Sequence, residues 1–73
     1  MKNKLLLIIN QIRLNNGLNV LDIISETDDL RSDIGFNSFD LAELTVRIED
    51  EFDIDIFEYG IVSTVGDILN KLK

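Results

Sequence analysis

The sequence has no cysteine, proline, histidine or tryptophan, and the missing residues exclude whole classes of protein. Without cysteine a disulfide framework is impossible, and without cysteine and histidine a metal site would lack its best ligands. No histidine is present to activate a serine hydroxyl as a nucleophile, so we expect neither a catalytic centre nor a metal site. The longest apolar run, Leu5 to Ile9, is far too short to span a bilayer. We therefore expect one cytoplasmic, monomeric domain over residues 1–73 that is not an enzyme.

Basic residues are also scarce, with seven against fourteen acids and a formal net charge of −7 at pH 7. Between Asp22 and Glu58 thirteen acids face only Arg31 and Arg47, which gives this stretch a local charge of −11. Such a field repels nucleic acid and anionic membranes and favours basic protein partners. The alternative is that the acids only keep a small domain soluble.

Apolar periodicity predicts a helix at each end of the chain. The first runs from about Lys2 to Leu14 and ends before Gly17, which suits the left-handed position after a helix. Its apolar stripe follows the spacing of one helical face: Leu5, Ile8, Ile9 and Ile12. The last helix begins after Thr64, which forms a capping box with Asp67.

Between these helices the sequence predicts a long loop, a second main helix and a brief helical turn. The loop covers residues 17–37, and Asn37 caps a helix that begins at Ser38 and ends at Glu51 or Phe52. Residues 53–57 alternate polar and apolar but lack a partner strand, so we expect an extended turn there and a short helix near 58–61. The predicted fold is all-α: a small bundle of three main helices plus one short helix.

The second helix has two apolar faces. At about 100° per residue, the face turned to the core holds Leu41, Leu44, Ile48 and Phe52. The opposite side begins beside Ser38 and combines apolar side chains with acids, which is typical of a docking surface. We interpret it as a partner-binding surface of Phe39, Asp40, Ala42, Glu43, Val46, Glu49 and Asp50. Two alternatives stay open: Phe39 and Val46 fold under the long loop as core, or the acids are a solvated face. Asp40 also occupies the third position of the capping box.

Ser38 is the residue at which this surface begins. A serine in this place is usually a cap or an early-turn residue without chemistry. Attachment of a phosphoryl group also fits, because free backbone N–H groups and the positive end of the helix dipole stabilise a phosphodiester there. Gly35 lets the backbone turn tightly just before the site. The physical chemistry thus permits a modified serine without requiring one.

The segment from Asp33 to Leu44, with Gly-Phe-Asn-Ser-Phe-Asp-Leu at its centre, resembles the phosphopantetheine attachment motif of acyl carrier proteins. The similarity continues through residues 48–56 and resumes at 64–68, so it covers nearly the whole chain in order. The resemblance implies that a phosphopantetheinyl transferase attaches 4′-phosphopantetheine from coenzyme A to Ser38. It further implies that an intermediate is held there as a thioester. The expected partners are that transferase and acyl-loading, synthase or transferase enzymes with basic docking surfaces.

Several residues depart from the family pattern. Asn37 replaces the usual Asp, Phe39 replaces the usual Leu as in D-alanyl carrier proteins, and Arg47 interrupts the acidic helix. Because Ser38 is intact, the resemblance still implies a carrier, in a specialised pathway rather than housekeeping fatty-acid synthesis. We expect Arg47 to mark a partner with an acid opposite it. The rival function is an unmodified acidic helical adaptor or inhibitor that binds a basic protein. A calcium loop fails because Glu58 stands where glycine is needed.

Overall fold

Three α-helices form the computed structural model, which describes residues 2–56 and 62–72. They are α1 (Lys2–Asn15), α2 (Ser38–Phe52) and α3 (Val65–Leu72). Within the described ranges there is no β-strand, only an isolated antiparallel bridge between Asp29 and Thr64. The predicted all-α fold with three main helices and a long first loop is confirmed. The short helix predicted near 58–61 lies outside the described residues.

The helices α1 and α2 lie side by side and run in opposite directions. At one end the Lys4 ammonium nitrogen is 3.1 Å from a Glu51 carboxylate oxygen. At the other end the Asn16 side-chain amide donates to Asp40 Oδ1 over 2.8 Å. The start of α2 therefore lies next to the end of α1, where the long loop begins.

The core takes side chains from all three helices and from the loop. Both helix stripes predicted from periodicity are part of it: Leu5, Ile8, Ile9 and Ile12 of α1, and Leu44 and Ile48 of α2 are buried, with Leu41 and Phe52 packed against them. The remaining buried apolar residues come from the connections and from α3: Ile24, Leu30, Ile34, Phe36, Ile56, Val62, Val65, Ile68, Leu69 and Leu72. The long loop is thus anchored by its own buried side chains, as expected for a loop of this length in a small domain.

Side chains of α1 also hold the loop by hydrogen bonds. The Asn10 amide pairs with the backbone of Leu21, donating over 2.9 Å and accepting over 2.7 Å. The Arg13 guanidinium donates to the carbonyls of Asn19 and Ile34. These contacts satisfy loop backbone groups that have no helical partner, and they fix the path of the chain towards α2.

The first turn of α3 is closed by the predicted capping box. Asp67 Oδ2 accepts the backbone N–H groups of Ser63 and Thr64 over 2.9 and 3.1 Å, and Thr64 Oγ1 accepts that of Asp67 over 3.1 Å. The backbone hydrogen bond from Ser63, followed by that from Thr64, lowers the pKa of Asp67 below its usual value of 3.8. Both N–H groups favour the ionised carboxylate.

This lowered pKa makes part of the stability pH-dependent. Asp67 stabilises the fold fully above its unfolded pKa, and the contribution is lost as pH falls through the lower folded pKa. Asp67→Asn should therefore have a lower urea midpoint than wild type at neutral pH, with the gap narrowing below about pH 4. Urea unfolding of both proteins at a series of pH values measures the difference between their midpoints. Asp50→Asn, at an exposed position, is the control, and a gap for Asp67→Asn that stays constant down to strongly acidic pH would contradict the prediction.

Candidate site at the start of the second helix

Ser38 is the first residue of α2, and its side chain is exposed. The cap is supplied by the residue before it: Asn37 Oδ1 accepts the Asp40 N–H over 2.9 Å, and Asp40 Oδ2 accepts the Asn37 N–H over 3.0 Å. This is the predicted capping box. Because Asn37 caps the helix, the Ser38 hydroxyl has no capping role.

Two positive groups lie beside the Ser38 hydroxyl in an acidic chain: the start of the α2 dipole and the Arg31 guanidinium. In the described part of the chain, no acceptor takes the backbone N–H groups of Ser38 and Phe39, as is usual in the first turn of a helix. These groups stand at the positive end of the α2 dipole. The hydroxyl oxygen itself lies 3.5 Å from Arg31 Nη2.

The backbone before Ser38 is shaped by a buried anchor and a left-handed turn. Phe36 is buried in the core, and its N–H donates to the Leu30 carbonyl over 2.9 Å. Gly35 has φ +88°, a conformation that disfavours any residue with a Cβ. The chain thus turns at Gly35, is anchored in the core by Phe36 and presents Ser38 to solvent two residues later.

The apolar stripe beside Ser38 faces solvent. Phe39 is 85% exposed, Val46 is 59% exposed and Ala42 is also exposed. The long loop does not cover these side chains, so the alternative in which Phe39 and Val46 are core residues is wrong. Two exposed apolar side chains two turns apart on one helix face make this face a candidate contact surface.

Asp40 does not lie on this exposed surface, which corrects its inclusion among the partner-binding residues. Its side chain is only 7% exposed. One carboxylate oxygen accepts the Asn16 amide and the other accepts the Asn37 N–H, so both oxygens serve the fold. The capping box turns this side chain back towards the helix start, where the end of α1 covers it.

The acidic residues further along α2 differ in whether they form ion pairs within the chain. Glu43 forms an ion pair with Arg47, with 2.8 Å between Oε2 and Nε, and Arg47 Nη1 also donates to Gln11 Oε1 of α1 over 2.9 Å. Glu49 and Asp50 are exposed and have no ion-pair partner among the described residues. Two carboxylates are therefore free to meet a basic partner, and a third is partly neutralised.

No group of three or more potential ligands that could hold a metal ion occurs in the ranges 2–56 and 62–72. None of the helices there is long and apolar enough to cross a bilayer. An open cleft of about 220 Å³ lies at the far end of the α1–α2 pair, beside the Lys4–Glu51 contact and away from Ser38.

Comparison with known proteins identifies the family. A family model described as "Phosphopantetheine attachment site" matches residues 7–71. An acyl carrier protein of Clostridium acetobutylicum is 37% identical over 59 residues, which cover 78% of this chain and 75% of that protein. The chain belongs to the acyl carrier protein family. An acyl carrier protein of Phaeodactylum tricornutum is 38% identical over 47 residues, covering 62% of each chain. No solved structure matches this carrier chain significantly.

Membership of the family confirms two expectations from the sequence. Acyl carrier proteins of this family bind 4′-phosphopantetheine, so the predicted cofactor is confirmed. They are carriers rather than catalysts, in agreement with the absence of histidine and cysteine from this chain.

Two arginines of the carrier make contacts that were not predicted from the sequence. Arg31 reaches the Ser38 hydroxyl from the preceding loop, and no local pattern predicts that contact. Arg47 pairs with Glu43, and here the signal was available, because the two residues are four apart on one helix. The Arg47 guanidinium is thus paired within the chain, and the expectation of an acid opposite it on a partner stays a prediction.

Proposed function

We propose that Ser38 carries the 4′-phosphopantetheine arm as a phosphodiester, and that the chain holds a biosynthetic intermediate as a thioester at the tip of the arm. One observation carries this proposal: Ser38 is an exposed hydroxyl at the first residue of α2 that has no capping role, because Asn37 caps the helix. A serine needed for the fold would be buried or bonded to the backbone.

The residues around Ser38 fit the charge of the attached group. A phosphodiester carries a negative charge and strong acceptor oxygens, and the N–H groups of Ser38 and Phe39 at the helix start are free to donate to it. The bound arm supplies a thiol, which forms the thioester. Ser38 is exposed, so the arm can extend into solvent and reach partner enzymes.

The chain itself supplies position rather than catalysis. Attachment requires the Ser38 hydroxyl to lose a proton, and no histidine is present to take it. We assign the base to the phosphopantetheinyl transferase. Ser38 Oγ attacks the phosphorus that bears the pantetheine in coenzyme A, the new O–P bond replaces the bond to the neighbouring phosphate, and adenosine 3′,5′-bisphosphate leaves. Partner enzymes then act on the thioester while α2 holds the serine at a fixed place on the surface.

We assign the partner contact to the exposed side of α2. Its apolar centre is Phe39, Ala42 and Val46, and its free carboxylates are Glu49 and Asp50, with Glu43 held by Arg47 at the edge. Free acids steer a basic partner towards the surface, and the apolar residues stabilise the complex once formed. The partners are thus the transferase and acyl-loading, synthase or transferase enzymes with basic docking surfaces. The departures at Asn37 and Phe39 favour a specialised pathway.

Intact-mass analysis tests the attachment. Incubation with coenzyme A and a promiscuous phosphopantetheinyl transferase should add one phosphopantetheine mass to the wild-type chain and none to Ser38→Ala. Ser32→Ala, which removes another exposed serine from the loop before α2, is the matched control and should accept the arm. If several transferases add nothing to the wild type, the unmodified adaptor becomes the better function. Addition that persists in Ser38→Ala would place the arm on another residue.

A further inference from the structure

Arg31 carries a positive charge beside the Ser38 hydroxyl. Its Nη2 lies 3.5 Å from Ser38 Oγ, and it forms no ion pair within the described part of the chain. The other two arginines of the chain are occupied: Arg13 donates to two loop carbonyls, and Arg47 binds Glu43 and Gln11. After the backbone N–H groups of Ser32 and Arg31, the charge of Arg31 adds a smaller contribution to the lowered pKa of Asp29. No carboxylate in the described part of the chain is within ion-pair distance of the guanidinium, which lies against the hydroxyl proposed for modification.

The backbone of Arg31 is held firmly in that place. Asp29 Oδ1 accepts the N–H groups of Arg31 and Ser32 over 2.8 and 2.9 Å, which fixes a tight turn. Leu30, within the turn, and Ile34, just after it, are buried in the core. The guanidinium is thus delivered by a defined loop conformation, so little backbone entropy remains to be lost when it binds a ligand.

We infer that Arg31 binds the phosphodiester on Ser38 through a charge-assisted hydrogen bond and so anchors the root of the arm. This inference rests on the proposed modification of Ser38. A phosphorus bonded to Oγ brings two non-bridging oxygens next to that atom, where the guanidinium already lies. Arginine donors match phosphate oxygens well, and hydrogen bonds between ions are stronger than neutral ones. Arg31 also offsets the repulsion that a further negative charge meets in this acidic stretch.

A thermodynamic cycle tests the inference without any enzyme assay of the loaded carrier. Melting temperatures are measured for apo and holo forms of wild type and of Arg31→Gln, each holo form being verified by intact mass. At low ionic strength, attachment of the arm should raise the melting temperature of the wild type by about 2–6 °C more than it raises that of Arg31→Gln. Added salt should reduce this difference, because the contact is exposed.

Two further variants separate the anchor from general charge effects. Lys2→Gln removes one positive charge from the opposite end of the antiparallel α1–α2 pair, and its apo-to-holo shift should equal that of wild type. Arg31→Lys keeps the charge and should retain part of the shift. In addition, the Arg31 side-chain N–H resonance should move on attachment of the arm, which NMR reports directly.

The outcomes distinguish this inference from the proposed function. If wild-type chain accepts the arm but Arg31→Gln shows the same apo-to-holo shift as wild type, and the Arg31 resonance stays in place, the anchor is refuted while the carrier function stands. If the wild type accepts no arm, the modification of Ser38 is refuted, and the anchor is refuted with it.

Discussion

Leu44→Ala should lower the free energy of unfolding by about 2–5 kcal/mol, whereas Ser38→Ala should lower it by less than about 1 kcal/mol. Leu44 is 1% exposed and lies at the centre of the α2 face that packs on α1 and the loop. Its truncation removes buried apolar surface and leaves a cavity, which the small core of a short chain can fill only in part. Ser38 is exposed, and removing its hydroxyl loses only the long contact with Arg31. Urea unfolding followed by circular dichroism measures both.

Val46→Ala is the matched control for this comparison, because it truncates an apolar residue two positions further along the same helix. Val46 is exposed, so its loss should change the stability by about 0.5 kcal/mol or less. If Ser38→Ala proved as damaging as Leu44→Ala, Ser38 would be a structural residue, and both the two faces of α2 and the attachment site would need reassignment.

The parts of the fold that depend on local spacing could be predicted from the sequence. The core face of α2 follows from the 100° step per residue, and Leu44 and Ile48 are buried as that step requires. The capping boxes of α2 and α3 follow from residues three apart, so they too needed no tertiary information. The same local signals located Ser38 at the first position of a helix.

The path of the long loop depends on tertiary contacts that no local pattern encodes. Ile23 is 73% exposed while its neighbour Ile24 is buried, because hydrogen bonds from α1 and α3 set the register of the chain there. Asp40 presents a similar case: its position on the helix suggested a surface acid, but the end of α1 covers it and the Asn16 amide binds it. The place of Arg31 beside Ser38 likewise follows from the folding of the loop.

Because Glu43 is paired with Arg47 and Asp50 has no ion-pair partner in the described structure, a kinetic prediction follows for Asp50. Asp50→Lys should slow transfer of the arm onto Ser38 by about tenfold at low ionic strength, because a free carboxylate that steers a basic transferase becomes a repelling charge. Added salt should narrow the gap to wild type, since exposed charges are screened. Val46→Ala should slow transfer with little dependence on salt, because an apolar contact acts mainly on dissociation of the complex.

Glu43→Lys is a poorer probe of the same surface, because it also breaks the ion pair with Arg47 and places two cations side by side. Asp50→Lys breaks no contact in the described structure, so a change in the transfer rate reports on the partner alone.

Asp22→Lys is the control for net charge. It makes the same change in net charge as Asp50→Lys but lies in the long loop rather than on α2, so it should leave the transfer rate nearly unchanged. Transfer rates of Asp50→Lys, Val46→Ala and Asp22→Lys over a salt series then separate the effect of a local steering surface from that of the overall charge. Equal slowing by Asp22→Lys and Asp50→Lys would show that only net charge matters. If Asp50→Lys does not slow transfer at low salt, the acids of α2 do not steer the partner, and the docking contact must be assigned to the loop instead.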